Sequence, residues 1–253
     1  MNILKRLGLG FPCDGFHPES GPLGVVKWIV PKVFRVLCIA SLALTVGISA
    51  YGLDDPKVAQ AKYDALAAKV TSGDASVDWQ ALRLSAEVAG VSGSYDMKDA
   101  NERGIKAFND NKFEQSLSIA KEMESHNIAD GDAHFLAMIS YKHLGKQDES
   151  AKEHAMLDAF FGSIMRSGDG KSAATAWFTV NVHEEYLVIR LLLGLNPKSQ
   201  SLSNEKGHYY DVMTVTDGSG KEQTLWFNTD TDMQIMDNAL KSVPVKKDVP
   251  AKK

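Results

Sequence analysis

Four residues, Ser167-Gly168-Asp169-Gly170, separate two kinds of hydrophobic period and so set the class of fold. Upstream, apolar residues recur at the three- and four-residue spacing of amphipathic helices. Downstream, aromatic and β-branched residues gather in short runs between turn residues. Helices in one half and strands in the other give an α+β fold. The pattern predicts a helical half, residues 53–166, packed on an α+β half, residues 167–241, in which one helix lies on a small antiparallel sheet.

The helical half is well punctuated. Asp54-Asp55-Pro56 places acidic residues and a proline at a helix start, and Ser72-Gly73 ends that helix. A second begins at Asp78-Trp79, with Trp79, Leu82 and Ala86 on one face, and Gly90 to Tyr95 is a loop. From Met97 the chain reads as helical, with a turn at Asn109-Asp110-Asn111. Phe113, Leu117, Ala120 and Met123 line the next helix. Asp130-Gly131-Asp132 opens another, Gly145 closes it, and a long helix carries Ala151 through Ile164. Offsets of 34 pair Asn111 with Gly145, Lys112 with Lys146 and Ser116 with Ser150, and Tyr141 to Gly145 resembles part of a tetratricopeptide repeat. A degenerate tetratricopeptide-like stack of hairpins is therefore expected here.

In the second half, Trp177 to Val182 reads as a strand and Leu187 to Leu195 as an apolar helix ended by Gly194 and Asn196-Pro197. Ser201 to Lys206, Tyr209 to Thr216 and Gln223 to Thr229 are predicted to form a three-stranded meander, with Asp217-Gly218-Ser219-Gly220 as the hairpin signal between the last two. From Lys241 on there are two prolines, five lysines and no apolar face, so residues 242–253 are read as a disordered tail.

Lys27, Lys32 and Arg35 precede an uncharged apolar run from Val36 to Ala50. At about 1.5 Å per residue that run makes roughly 22 Å of helix, short of a bilayer core of about 30 Å. A basic flank, a short apolar core and small residues after it form a secretory signal pattern, residues 33–52, cut near Ala50 to Gly52. Residues 1–32 are read as an extension upstream of the true start. Both cysteines, Cys13 and Cys38, fall before the cut, so the remainder has no disulfide or thiol chemistry. The expected product is periplasmic or secreted, with no integral membrane span after cleavage. A net charge of -4 gives no basic excess for nucleic-acid binding.

Several local patterns resemble one bacterial family. They are Asp78-Trp79-x-x-Leu82-Arg83, Ser167 to Ser172, Thr175-Ala176, Glu184-Glu185-Tyr186, Tyr210-Asp211-Val212-Met213 and Leu225-Trp226-Phe227. Together, over roughly residues 57–230, they resemble the domain-of-unknown-function family 4919. Trp226 stands where tyrosine is expected. The resemblance implies an exported bacterial protein and assigns no activity.

Candidate chemistry is sparse. His183-Glu184-Glu185 starts like a zinc-protease motif, but Leu187 occupies the second histidine's place. His126, His134, His143, His154 and His208 share no helical metal spacing, so no metal or other cofactor is expected. Gly168 to Ser172 ends like a phosphate loop, but it follows a helix and has Met165 where the first glycine belongs. Glu184 and Glu185 at a helix start suit the helix dipole. The residues expected to bind are Asp169, Glu185, Tyr186 and Asp211, and the ligand an unknown protein partner rather than nucleic acid. The leading reading is a non-enzymatic interaction module of the bacterial envelope. The alternative is a carboxylate-dependent hydrolase using Glu184 or Glu185 with Asp169 or Asp211.

Overall fold

The computed structural model describes residues 53–242. The extension and signal peptide expected over residues 1–52, and the tail beyond Ser242, lie outside the described residues. Asp55 caps α1 (Pro56–Thr71), its carboxylate accepting from the Lys57 amide at 2.9 Å. Asp78 does the same for α2 (Trp79–Ala89), which Gly90 ends at φ 62°. There follow α3 (Met97–Asn109), α4 (Phe113–His126), α5 (Gly131–His143) and α6 (Gln147–Met165), each packed on its chain neighbour. Gly104 lets α3 approach α5, because an added Cβ there would overlap the Leu136 side chain. Leu82, Met123, Leu136, Phe160 and Ile164 are fully buried and fill the helical core.

The second half runs β1 (Trp177–Phe178), α7 (Val182–Leu187), a π-helical turn (Val188–Leu192), β2 (Asn196–Glu205), β3 (His208–Thr216), β4 (Glu222–Asn228) and α8 (Asp230–Ser242). The sheet order is β1-β4-β3-β2, with β1 parallel to β4 and the other pairs antiparallel. Val188 and Ile189 of the π turn share one core with Met213, Val215 and Phe227 of the sheet and with the helical residues. The α+β architecture and the meander are those expected, but the parallel β1 makes the sheet mixed rather than antiparallel throughout. Among the described residues no helix is long and apolar enough to cross a membrane.

Local corrections have local causes. The strand expected over Trp177 to Val182 stops at Phe178, because Asn181 accepts from the Glu184 amide at 3.1 Å and starts α7 there instead. The helix expected over Leu187 to Leu195 therefore begins five residues early and widens into the π turn. Asn196-Pro197 opens β2 rather than closing a helix. An edge strand tolerates the proline, and the register slips between Pro197 and Ser199. The short strand at Ser201 to Lys206 is thus a ten-residue strand. Sequence reading named one helix in this half; α8 is a second, and it carries Ser242 out of the expected tail.

Candidate functional site

Arg83 is the hub of the junction between the halves. Asp78 starts α2 and sets its buried face, on which Arg83 is 1% exposed. Its Nε donates to Ser163 Oγ on α6 at 2.9 Å, and its Nη1 donates to the Glu184 carboxylate on α7. The guanidinium lies over the Phe160 ring, 5.6 Å from its centroid. Glu184 also accepts from the Val180 amide at 2.9 Å. Burial raises the Glu184 pKa and Arg83 opposes the rise. Beside this pair, Asn181 Nδ2 donates to Glu87 Oε2 at 2.6 Å.

His183 faces the other way. Its Nε2 lies 2.7 Å from Asp132 Oδ2, which also accepts from Asn101 Nδ2 at 2.9 Å. Desolvation disfavours its charge, but the Asp132 hydrogen bond and the fields of Asp132 and Asp130 prevail and push its pKa up to about 9, so it is an imidazolium at neutral pH. Burial, then Asp132, lifts Asp130 to about 6. Two small cavities flank His183. One, about 40 Å³, is lined by Arg83, Glu87, Asp130, Asn181 and Glu184. The other, about 50 Å³, lies among Lys98, Asn101, Asp132, Tyr186 and Arg190. Each has room for a few waters, far below the roughly 300–1,000 Å³ of a small-molecule pocket.

Glu185 is fully buried, and neither of its oxygens receives a hydrogen bond from a donor group. Its neighbours are the carboxyls of Asp211 on β3 and Asp232 on α8. Burial, then these two charges, pushes its pKa up to about 10, so Glu185 holds its proton and shares it with Asp211. Asp211 accepts from Gln200 Nε2 at 2.6 Å, and Gln200 Oε1 accepts from the Tyr186 hydroxyl at 3.2 Å. Glu185, Asp211 and Tyr186 are therefore joined in one network through Gln200. Arg190 stacks on the Tyr186 ring at 5.3 Å.

Asp169 has another task. It accepts from the Lys171 amide at 3.1 Å and pairs with Lys171 Nζ at 2.9 Å, and hydrogen bonds from Thr175 and Lys171 hold its pKa down at about 2. It braces its own turn. Sequence reading gave no site role to Gln200, Asp232, Asp132 or Asn101. Arg83 was visible only within the family resemblance. One signal was available: Asn181-x-x-Glu184 has the spacing of a helix capping box, which marks the start of α7.

Three helices also assemble a group that no helical offset could reveal. Glu124 of α4, His134 of α5 and Glu153 of α6 are all buried, with one ligand atom from each within 4.8 Å of the others. Lys121 bonds both carboxylates.

No curated protein and no solved structure matches this chain. A family profile, described as Domain of unknown function (DUF4919), matches residues 92–238, which span α3 to α8 and every residue of the Tyr186 network. The match leaves out the Asp78 to Arg83 segment, but it covers more than half of the 253 residues, and the chain belongs to the family described as Domain of unknown function (DUF4919).

Proposed function

We propose that this chain is an exported bacterial envelope protein that binds a protein partner without chemistry, through the surface around Tyr186. One observation carries the reading. The carboxylates a hydrolase would need are committed to packing: Glu184 to Arg83, Glu185 to Asp211 and Asp232, and Asp169 to its turn. The surface there presents Tyr186 with Arg190 against its ring, the His183 imidazolium paired with Asp132, and Lys98 and Glu102 at the small cavity. Tyrosine and arginine dominate binding hot spots, and Lys98, His183 and Arg190 outnumber Glu102 and Asp132 around the cavity, which favours an acidic segment on the partner. The helical half supports a scaffold role. Gly131 opens α5 34 residues after Met97 opens α3, and Gln147 opens α6 34 residues after Phe113 opens α4. Asn111 and Gly145, also 34 apart, both take positive φ in the corresponding turns. That periodicity favours tetratricopeptide-like stacking.

The chain from Tyr51 onward has no cysteine, so a single cysteine gives a clean cross-linking probe. Lys98→Cys carrying a photo-cross-linker, incubated with envelope extract of the native host, should yield one discrete adduct. Tyr186→Ala or Arg190→Glu should remove it. An adduct that both variants leave at full strength overturns the assignment of this surface. Intact-mass measurement on the native protein tests export: the expected product begins between Tyr51 and Leu53, and a product retaining Cys38 rejects cleavage.

A further inference from the structure

The group of Lys121, Glu124, His134 and Glu153 lies apart from the Tyr186 surface and asks a separate question. His134 is completely buried, Glu124 is 9% exposed and Glu153 is 4% exposed. His134 Nε2 lies 2.8 Å from the Ile128 carbonyl oxygen. A carbonyl only accepts, so Nε2 carries a hydrogen and donates it. This is the outer hydrogen bond that usually orients a metal-bound histidine. It leaves Nδ1 pointing at the carboxylates, 2.8 Å from Glu153 Oε2 and 3.9 Å from Glu124 Oε1. Glu124 Oε1 is buried, faces Nδ1 and receives no hydrogen bond. A buried carboxylate oxygen without a donor is costly, and a cation is what would satisfy it.

We propose that Glu124, His134 and Glu153 form a binding site for a divalent transition-metal ion, with the Lys121 ammonium as the resident cation that the metal displaces. The charges balance in both states. Without metal, the two carboxylates face Lys121 and the proton that lies between His134 Nδ1 and Glu153 Oε2, 2.8 Å apart. With metal, the ion takes the place of the ammonium and of that proton, which leaves to water. Lys121 can withdraw because its side chain is 44% exposed, and its path out is the metal's path in. One imidazole nitrogen with two carboxylates and no thiolate suits Zn²⁺ or Mn²⁺. Zinc ligands sit at about 2.0–2.2 Å from the ion, so the three donor atoms need only small carboxylate rotations to converge. Three protein ligands leave coordination positions open to water.

Isothermal titration calorimetry of the purified, metal-stripped chain with Zn²⁺ tests the assignment. The expected result is one ion per chain, with Ca²⁺ and Mg²⁺ giving no heat. Lys121→Met removes the competing ammonium and should tighten binding about tenfold. Glu124→Gln and His134→Gln should weaken it by at least the ten- to hundredfold that loss of an outer-shell partner costs. X-ray absorption of the Lys121→Met complex should show nitrogen and oxygen donors and no sulfur. Zn²⁺ binding that Glu124→Gln and His134→Gln leave unchanged would move the ion to surface pairs such as His154–Asp158 and overturn the proposal. So would the absence of binding at millimolar Zn²⁺ in both the wild type and Lys121→Met. Because Lys121→Met is a gain of affinity, a failure of His134→Gln to fold does not shield the proposal.

Discussion

At the residue scale, two neighbouring glutamates have opposite surroundings, a guanidinium beside Glu184 and carboxyls beside Glu185. Glu184 is held by Arg83. Breaking one partner of a buried pair leaves the other charge stranded, so Arg83→Met should cost about 3–5 kcal/mol of unfolding free energy. Arg83→Met with Glu184→Leu should recover most of it, and urea unfolding of the double-mutant cycle measures both. Glu185 has its folded pKa raised from 4.5 to about 10. Its contribution is therefore fully present below about pH 4.5 and is lost as pH rises toward 10. Asp211 and Asp232, raised chiefly by burial, act in the same direction. Glu185→Gln should match wild-type stability near pH 5 and exceed it at pH 8–9, with a shallower slope. A wild-type stability that climbs from pH 5 to 9 would refute the protonated state. Sequence showed that Glu184-Glu185 opens a helix. It could not show which would meet Arg83, 101 residues away, and which would meet Asp211.

At the element scale, the Ser167 to Gly170 turn is a fastener between α6 and the sheet. Ser167 Oγ accepts from the Phe178 amide at 2.7 Å, Gly168 O accepts from the Trp177 indole at 3.0 Å, and Gly170 O accepts from the Trp226 amide at 2.8 Å. An added Cβ at Gly168 would overlap the Thr175 carbonyl oxygen. One at Gly170, at φ 67°, would meet the Trp177 ring at 2.6 Å. Gly168→Ala should therefore cost at least about 1–3 kcal/mol, the scale of overpacking penalties, read as a lowered urea midpoint. The α8 helix is attached more lightly. Asp232 accepts from the Val182 amide beside the Glu185 and Asp211 carboxyls, while Met236 and Leu240 are 51% and 67% exposed. As Glu185 ionises, like charges should loosen this end first. Hydrogen exchange, corrected for the intrinsic rate, should show α8 losing protection between pH 6 and 9 before α5 or β3 does. The α1 to α6 boundaries were readable because aspartates and glycines mark them. The start of α8 was missed because Asp230-Thr231-Asp232 reads equally well as loop, and its apolar stripe is thin.

At the scale of the whole molecule, the halves share a core and are cross-tied by Arg83–Glu184, Glu87–Asn181 and Asp132–His183. Thermal unfolding of residues 53–242 should give one transition, with calorimetric and van't Hoff enthalpies in agreement. A fragment of residues 92–242, cut where the family match begins, leaves the Glu184 carboxylate buried without Arg83. It should unfold at a markedly lower temperature, and equal melting temperatures for the two would sink the idea. Composition and periodicity reveal the α+β class. The junction is different in kind, since its members come from α2, α3, α5, α6 and α7 and only the folded chain brings them together.

β2 closes one side of the sheet, and among the described residues nothing pairs with its outer edge. Its first residues are guarded: Pro197 lacks an amide hydrogen, the register slips beside it, and Lys198 carries a charge. Gln200 to Asn204 has no such guard, and Leu202 at its centre is 56% exposed. An unguarded edge of this kind is where strands of two molecules pair, so in concentrated solution self-association should begin at this stretch. A single lysine at position 202 would raise the concentration at which the molecules begin to stick edge to edge.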